Sequence, residues 1–96
     1  MKLFIDTSDN KKTIVKLDDL EIIEKYKSPR EQKLLEVIER ALKKNKAKVT
    51  DIDKIIVNQG PGSFTGLRVG CAIANTLAWL LNIKVNGKTQ VFPKYE

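Results

Sequence analysis

The chain has 96 residues, 42% hydrophobic and 31% charged, with a formal net charge of +6; this is the composition of one soluble globular domain with a modest core. One cysteine and no histidine exclude a disulfide framework, Ser-His or Cys-His catalysis and most zinc sites. Acids and bases mingle up to residue 54, whereas residues 55–95 contain Arg68, Lys84, Lys88 and Lys94 and no acid, a setting compatible with an anion or an acidic partner surface.

Residues 2–6 read as a first strand, with Leu3 and Ile5 on one face and Phe4 on the other. Met1-Lys2-Leu3-Phe4-Ile5-Asp6 turns acidic too soon for a signal peptide, and a lone cysteine fits a reducing cytoplasm. Thr7-Ser8-Asp9-Asn10 is turn chemistry. Residues 13–17 and 20–26 read as two further strands joined by Asp18-Asp19, and such tight links predict an antiparallel meander. Ser28-Pro29-Arg30-Glu31 has the composition of a helix start: Ser28 as N-cap, Pro29 in the first position, Glu31 as capping-box partner. Leu34, Leu35, Ile38, Ala41 and Leu42 then recur at helical spacing to about residue 44, with Glu36, Glu39 and Arg40 on the wet side. The run Lys43, Lys44, Lys46, Lys48 closes that helix, where cations suit the negative end of the dipole.

Residues 50–53 read as a short capped turn and residues 54–58 as a fourth strand. A glycine-rich turn follows, then a helix over residues 64–81, stopped by Asn82. Residues 83–85 are expected to form a fifth strand, with Asn86-Gly87-Lys88 as a turn and residues 87–96 as a C-terminal tail. The order is βββαβαβ, and right-handed crossovers make strands one, four and five parallel. The expected fold is α/β: a single ribonuclease-H-like domain over residues 1–96, with a mixed five-stranded sheet and two main helices.

The turn Asn58-Gln59-Gly60-Pro61-Gly62-Ser63 and the helix it opens carry most of the functional signal. The turn fails both standard phosphate fingerprints. Leu67 stands where a Walker loop needs lysine, and Thr65 stands where the dinucleotide fingerprint needs its third glycine. What remains is a permissive backbone at a helix N-terminus, where Gly62, Ser63 and Thr65 are candidate anion contacts. Along the helix Gly66, Gly70, Ala74 and Ala78 recur every fourth residue as a ridge of small side chains, flanked by Val69, Ile73, Leu77, Leu80 and Leu81. Arg68 is its one charge, and a helix without a polar face has to be covered on two sides. Its own sheet covers one. With a single other helix in the chain, the second side is expected to dock a protein, self or other. Cys71 reads as a small buried hydrophobe. The low-charge segment over residues 69–83 is shorter than the ~20 residues of a bilayer span, and Asn75 and Thr76 interrupt it; no membrane association is expected.

Gly60-Pro61-Gly62-Ser63-Phe64-Thr65-Gly66-Leu67-Arg68-Val69-Gly70 resembles the signature of the TsaB family, the dimerisation subunit of the bacterial tRNA threonylcarbamoyladenosine machinery. Ile5-Asp6-Thr7-Ser8 and Asp51-Ile52-Asp53 are similar to the family's surrounding pattern. The resemblance covers roughly residues 2 to 87. It implies an actin-like ATPase-derived lobe without catalysis of its own, paired with a TsaD-like catalytic paralogue that modifies adenosine 37 of tRNA. It also implies a helical bundle with that partner, self-association by the same surface when alone, tRNA contact only through the complex, and ATP and magnesium held by the partner. Family members carry a second lobe about as long as this chain, so a short form lacking it is expected. Asp6, at the position of a metal-associated acid in actin-like ATPases, reads here as a strand-end residue.

Two further functions compete with the scaffold reading. One is a small nucleotide- or anion-binding enzyme using the Gly60–Gly70 loop, with Asp6 as a metal ligand. The other is a direct tRNA binder, disfavoured by few and scattered aromatics. On the leading reading the partner interface comprises Leu67, Arg68, Val69, Gly70, Ile73, Ala74, Leu77 and Leu80, with Leu34 and Ile38 from the first helix. Arg68 is expected to pair with an acid or the loop. Gly70→Glu is then expected to abolish docking in a folded domain.

Overall fold

Alternation of apolar and polar residues builds the sheet. Strand β1 (Lys2–Asp6) buries Leu3 and Ile5, β2 (Lys12–Leu17) buries Thr13, Val15 and Leu17, and β4 (Lys54–Val57) buries Ile55 and Val57; β3 (Leu20–Lys25) lies at one edge. Leu3 stands opposite Leu17 and Ile55, and Ile5 opposite Val15 and Val57, so these side chains share one face. The strand order is β3-β2-β1-β4, antiparallel through the first three strands and parallel between β1 and β4. The structure, a computed structural model, describes residues 1–28 and 33–95.

Both helices pack on that face. Helix α1 (Leu34–Lys44) buries Leu34, Val37, Ile38 and Ala41 against β2 and β3, while α2 (Phe64–Leu81) lies against β4 and β1. Leu34, Val37, Ile38 and Ala41 of α1 and Cys71, Ala74 and Ala78 of α2 join the inner residues of the strands in one core. Among the described residues no layer covers the other face of the sheet. By length and composition α2 would also suit a membrane, and Gly66, Leu67, Gly70, Cys71, Ala74 and Ala78 are the residues it buries within the chain.

Three expectations change. The first helix begins at Leu34 with Lys33 as its N-cap, and no side chain caps it; the expected start at Pro29, Arg30 and Glu31 lies outside the described residues. Among the described residues the mixed sheet has four strands, not five. Val85 makes one parallel bridge to Ile55, but the chain then turns: Asn86 has φ +52°, and Val85 and Lys88 exchange hydrogen bonds at 2.9 and 2.8 Å. The Asn86 carboxamide takes over the ladder, accepting from the Val57 amide at 2.8 Å and donating to the Val57 carbonyl at 2.9 Å. A side chain thus satisfies the strand edge where more backbone was expected.

The third correction concerns residues 87–96. They were expected to form a tail, yet residues 91–95 run as a strap along α2. Val91 is buried, and it exchanges two hydrogen bonds of 2.8 Å with the Asn75 carboxamide. Gln59 donates to the Phe92 carbonyl at 2.9 Å, and the Lys94 amide donates to the Gln59 carbonyl at 2.7 Å. The chain therefore covers part of α2 that was expected to need a partner.

Candidate functional site

Strands β1 and β4 end side by side, and the chain turns from there into α2, at the carboxyl edge where parallel α/β sheets place their sites. Asn58 anchors the turn. Its amide donates to the Ile5 carbonyl at 2.9 Å, its carboxamide nitrogen lies 3.2 Å from both Asp6 Oδ1 and Ser8 Oγ, and its oxygen accepts from the Gly60 amide at 2.9 Å. Asp6 Oδ1 also accepts from the Ser8 hydroxyl at 2.6 Å and the Ser8 amide at 3.0 Å. Asp6 thus closes the end of its strand. Ser63 caps α2, its Oγ accepting from the Gly66 amide at 3.2 Å, while its own amide donates to the Ser8 carbonyl at 2.7 Å.

Close packing explains the glycines. Gly60 has φ +112°, a conformation side chains resist. Elsewhere the constraint is space. A Cβ at Gly62 would strike the Ser8 carbonyl, one at Gly66 the Thr7 carbonyl, and one at Gly70 the Thr7 hydroxyl. Thr7 is fully buried and donates through Oγ1 to the Gly66 carbonyl at 2.6 Å. The small-residue ridge therefore lets α2 settle onto the end of β1.

This geometry sorts the candidate residues. Of the anion contacts, Ser63 is engaged within the turn, while Gly62 and Thr65 are exposed. The amides of Gly60, Ser63 and Gly66 are already hydrogen-bonded inside the chain, which shrinks the expected bare cradle.

Five of the expected interface residues face inward: Leu67, Gly70, Ala74, Leu34 and Ile38 are buried in the chain's own core. For Gly70 and Ala74 the reason is steric, since the small residues let α2 close on the sheet, whereas Leu67 packs by Gly60 and Leu34 and Ile38 lie on the side of α1 that packs on β2 and β3. The remaining five, Arg68, Val69, Ile73, Leu77 and Leu80, lie on or toward the outer side. Val69, Ile73 and Leu77 are half-buried at the margin of the core, and Leu80 is 64% exposed. Arg68 has no carboxylate partner among the described residues; its guanidinium lies 5.5 Å from the centroid of the Phe64 ring.

Two aromatic residues extend this outer side beyond the expected set. Trp79 is 79% exposed and Phe64 is 58% exposed. The signal was present: residues 64, 68, 72, 76 and 80 form a four-residue series, with Trp79 beside it. Phe64 stacks on Tyr95 of the strap at 4.8 Å between centroids, a pairing that sequence distance hides. A groove of about 390 Å³ lined by Phe64, Thr65, Arg68, Val69 and Ala72 opens on this side. Cys71 faces inward, and burial pushes its thiol pKa up.

A family model described as TsaD, tRNA N6-adenosine threonylcarbamoyltransferase, matches residues 24–87. The tRNA threonylcarbamoyladenosine biosynthesis protein TsaB of Bacillus subtilis is 53% identical over 36 residues, covering 38% of this chain and 16% of that protein. A Mycoplasma pneumoniae protein of uncharacterised function is 38% identical over 97 residues, covering 95% of this chain and 47% of that protein. The solved structure of YeaZ from Pseudomonas aeruginosa superposes with a TM-score of 0.71 at 26% identity, over 88% of this chain and 42% of that one. The chain thus spans less than half the length of the relatives it matches.

Proposed function

The chain belongs to the TsaB family, within the wider family described by the tRNA N6-adenosine threonylcarbamoyltransferase model, and from that premise we propose that it is a non-catalytic dimerisation and scaffold subunit of the machinery that makes N6-threonylcarbamoyladenosine in tRNA. In this proposal it supplies no reacting group. It binds a TsaD-like catalytic paralogue and holds that partner's active arrangement, and it pairs with itself when alone. tRNA is met through the assembly, ATP and magnesium are held by the partner, and the assembly works in the cytoplasm. The fold is accordingly read as an actin-like ATPase lobe serving as one domain.

One observation carries the proposal: the outer side of α2 leaves large apolar side chains in solvent and carries a single charge. Val69, Ile73 and Leu77 lead to Leu80 and Trp79, with Arg68 the helix's one charged side chain. The strap along residues 91–95 covers part of the helix but leaves Trp79, Leu80 and Phe64 largely in solvent. Exposed aromatic and aliphatic anchors of this kind are what protein interfaces bury at their centre. The competing enzyme reading draws less support, because the amides of Gly60 and Ser63 in the turn and of Gly66 in the first turn of α2 are already taken up within the chain.

Light scattering on the chain, alone and mixed with the TsaD paralogue of the same organism, tests the proposal. A dimer alone and a mixed complex on addition are expected; a strict monomer at high concentration that ignores the paralogue would overturn it. Equilibrium dialysis separates the enzyme reading. Micromolar binding of ATP with magnesium by the isolated chain would favour that alternative.

A further inference from the structure

The hairpin turn beyond Val85 holds a polar centre of its own, independent of any docking role for α2. Val85 and Lys88 exchange hydrogen bonds across Asn86 and Gly87, whose φ angles are +52° and +74°. Two successive left-handed residues make this the tight turn that Asn-Gly favours. The Asn86 amide donates to the Ile55 carbonyl at 2.9 Å, which docks the turn on β4. There the carboxamide accepts from the Val57 amide, and its nitrogen donates to the Val57 carbonyl and to Gln59 Oε1, the last at 3.0 Å. Gln59 in turn donates to the Phe92 carbonyl at 2.9 Å and accepts from the Lys94 amide at 2.7 Å. Asn86 thus heads a relay from the sheet edge, through Gln59, to the second half of the strap. The Lys94 carbonyl closes it, filling the space that a Cβ at Gly60 would need.

The same residue is the chain's most labile asparagine by sequence. Gly87 follows it, whereas every other asparagine precedes a larger residue. Without a side chain beside it, the Gly87 amide nitrogen is the least hindered to attack Asn86 Cγ. Gly87 is exposed, with open space around its α-carbon. The attack forms a new C–N bond, breaks the carboxamide C–N bond and releases ammonia, leaving a cyclic imide. Water then opens the ring at either carbonyl, giving aspartate or isoaspartate.

We propose that Asn86-Gly87 is a deamidation site, and that its conversion frees residues 92–95 of the strap while Val91 stays seated. An ionised aspartate at this position only accepts hydrogen bonds. Its second oxygen would face the Val57 carbonyl and Gln59 Oε1, where the amide nitrogen now donates at 2.9 and 3.0 Å. Gln59 can answer only by turning its own NH2 toward the carboxylate, which withdraws the donor from Phe92. Isoaspartate in addition lengthens the backbone of a two-residue turn by one methylene. Val91 is held separately, by Asn75. The strap therefore pivots at Val91, and Tyr95 loses its seat on Phe64. Because the clamp on the carboxamide holds Cγ at the sheet edge, the folded chain converts more slowly than the unfolded one.

To test this, the full chain is incubated in mildly alkaline buffer and mapped by peptide mass spectrometry, with isoaspartate methyltransferase labelling to separate the products. Residue 86 is expected to convert first among the asparagines, and faster in urea than in the folded chain. Hydrogen exchange at the Lys94 amide should then quicken about tenfold in the converted chain and in Asn86→Asp, the equivalent of one hydrogen bond. The Val91 amide should exchange as before. Gln59→Ala cuts the relay from its other end and should give the same pattern even if Asn86→Asp folds poorly. Retention of Asn86 through the incubation, unchanged exchange at Lys94 after conversion, or equal acceleration at Val91 would overturn the proposal.

Discussion

The two sides of α2 differ in both side-chain size and polarity. The inner side buries Gly66, Leu67, Gly70, Cys71, Ala74 and Ala78, while the outer side exposes Phe64, Trp79 and Leu80 among Thr65, Arg68, Ala72 and Thr76, with Val69, Ile73 and Leu77 at the margin between them. A four-residue ridge of small side chains invites a close-packed partner helix. In this fold the close approach is used internally, by Thr7 and the end of β1. The surplus apolar surface lies on the bulky side, so substitutions on the two sides should separate folding from docking.

The largest expected effect is on the inner side. Gly70→Glu would drive a side chain into Thr7, and circular dichroism should show loss of the cooperative unfolding transition. That replaces the sequence expectation of a folded domain that no longer docks. Leu67→Ala empties a fully buried site and should cost about 3 kcal/mol in urea unfolding. Thr7→Val removes the buried hydroxyl's hydrogen bond to the Gly66 carbonyl, which keeps its partner in the helical ladder, so the loss should be about 1 kcal/mol in the same assay.

The Cys71 thiol sharpens the comparison chemically. Burial raises its pKa, so reaction with a thiol reagent should be far slower in the native chain than in denaturant. The sign follows from linkage: a raised native pKa favours the folded chain at low pH, and that contribution fades as pH climbs through the thiol range. Rapid labelling of the native chain at neutral pH would show that the inner side opens readily.

Much of the fold was legible because periodicity recorded it. The strands at β1 and β4, the meander and the span of α2 all follow from spacing and turn chemistry, and Asn82 ends α2 in the left-handed conformation that asparagine tolerates. The missing fifth strand was not legible. Ile83-Lys84-Val85 has strand composition, but whether a ladder continues depends on the Asn86 carboxamide reaching Val57. The strap was hidden for the same reason, since Asn75 and Val91 or Phe64 and Tyr95 meet only in three dimensions. At the candidate site, sequence identified the right helix but could not orient it. Leu67 and Leu80 look alike in the chain, and only packing in three dimensions, Leu67 beside Gly60 and Leu80 in solvent, distinguishes them.

Leu80→Glu is the decisive variant, because Leu80 is largely in solvent and its replacement should leave stability within about 0.5 kcal/mol. Calorimetric titration with the TsaD paralogue, wild type against Leu80→Glu, with thermal melts alongside, tests the docking role of the outer side of α2 most directly. An affinity loss of about tenfold or more with an unchanged melt is the predicted result. Equal affinity for both proteins would contradict it.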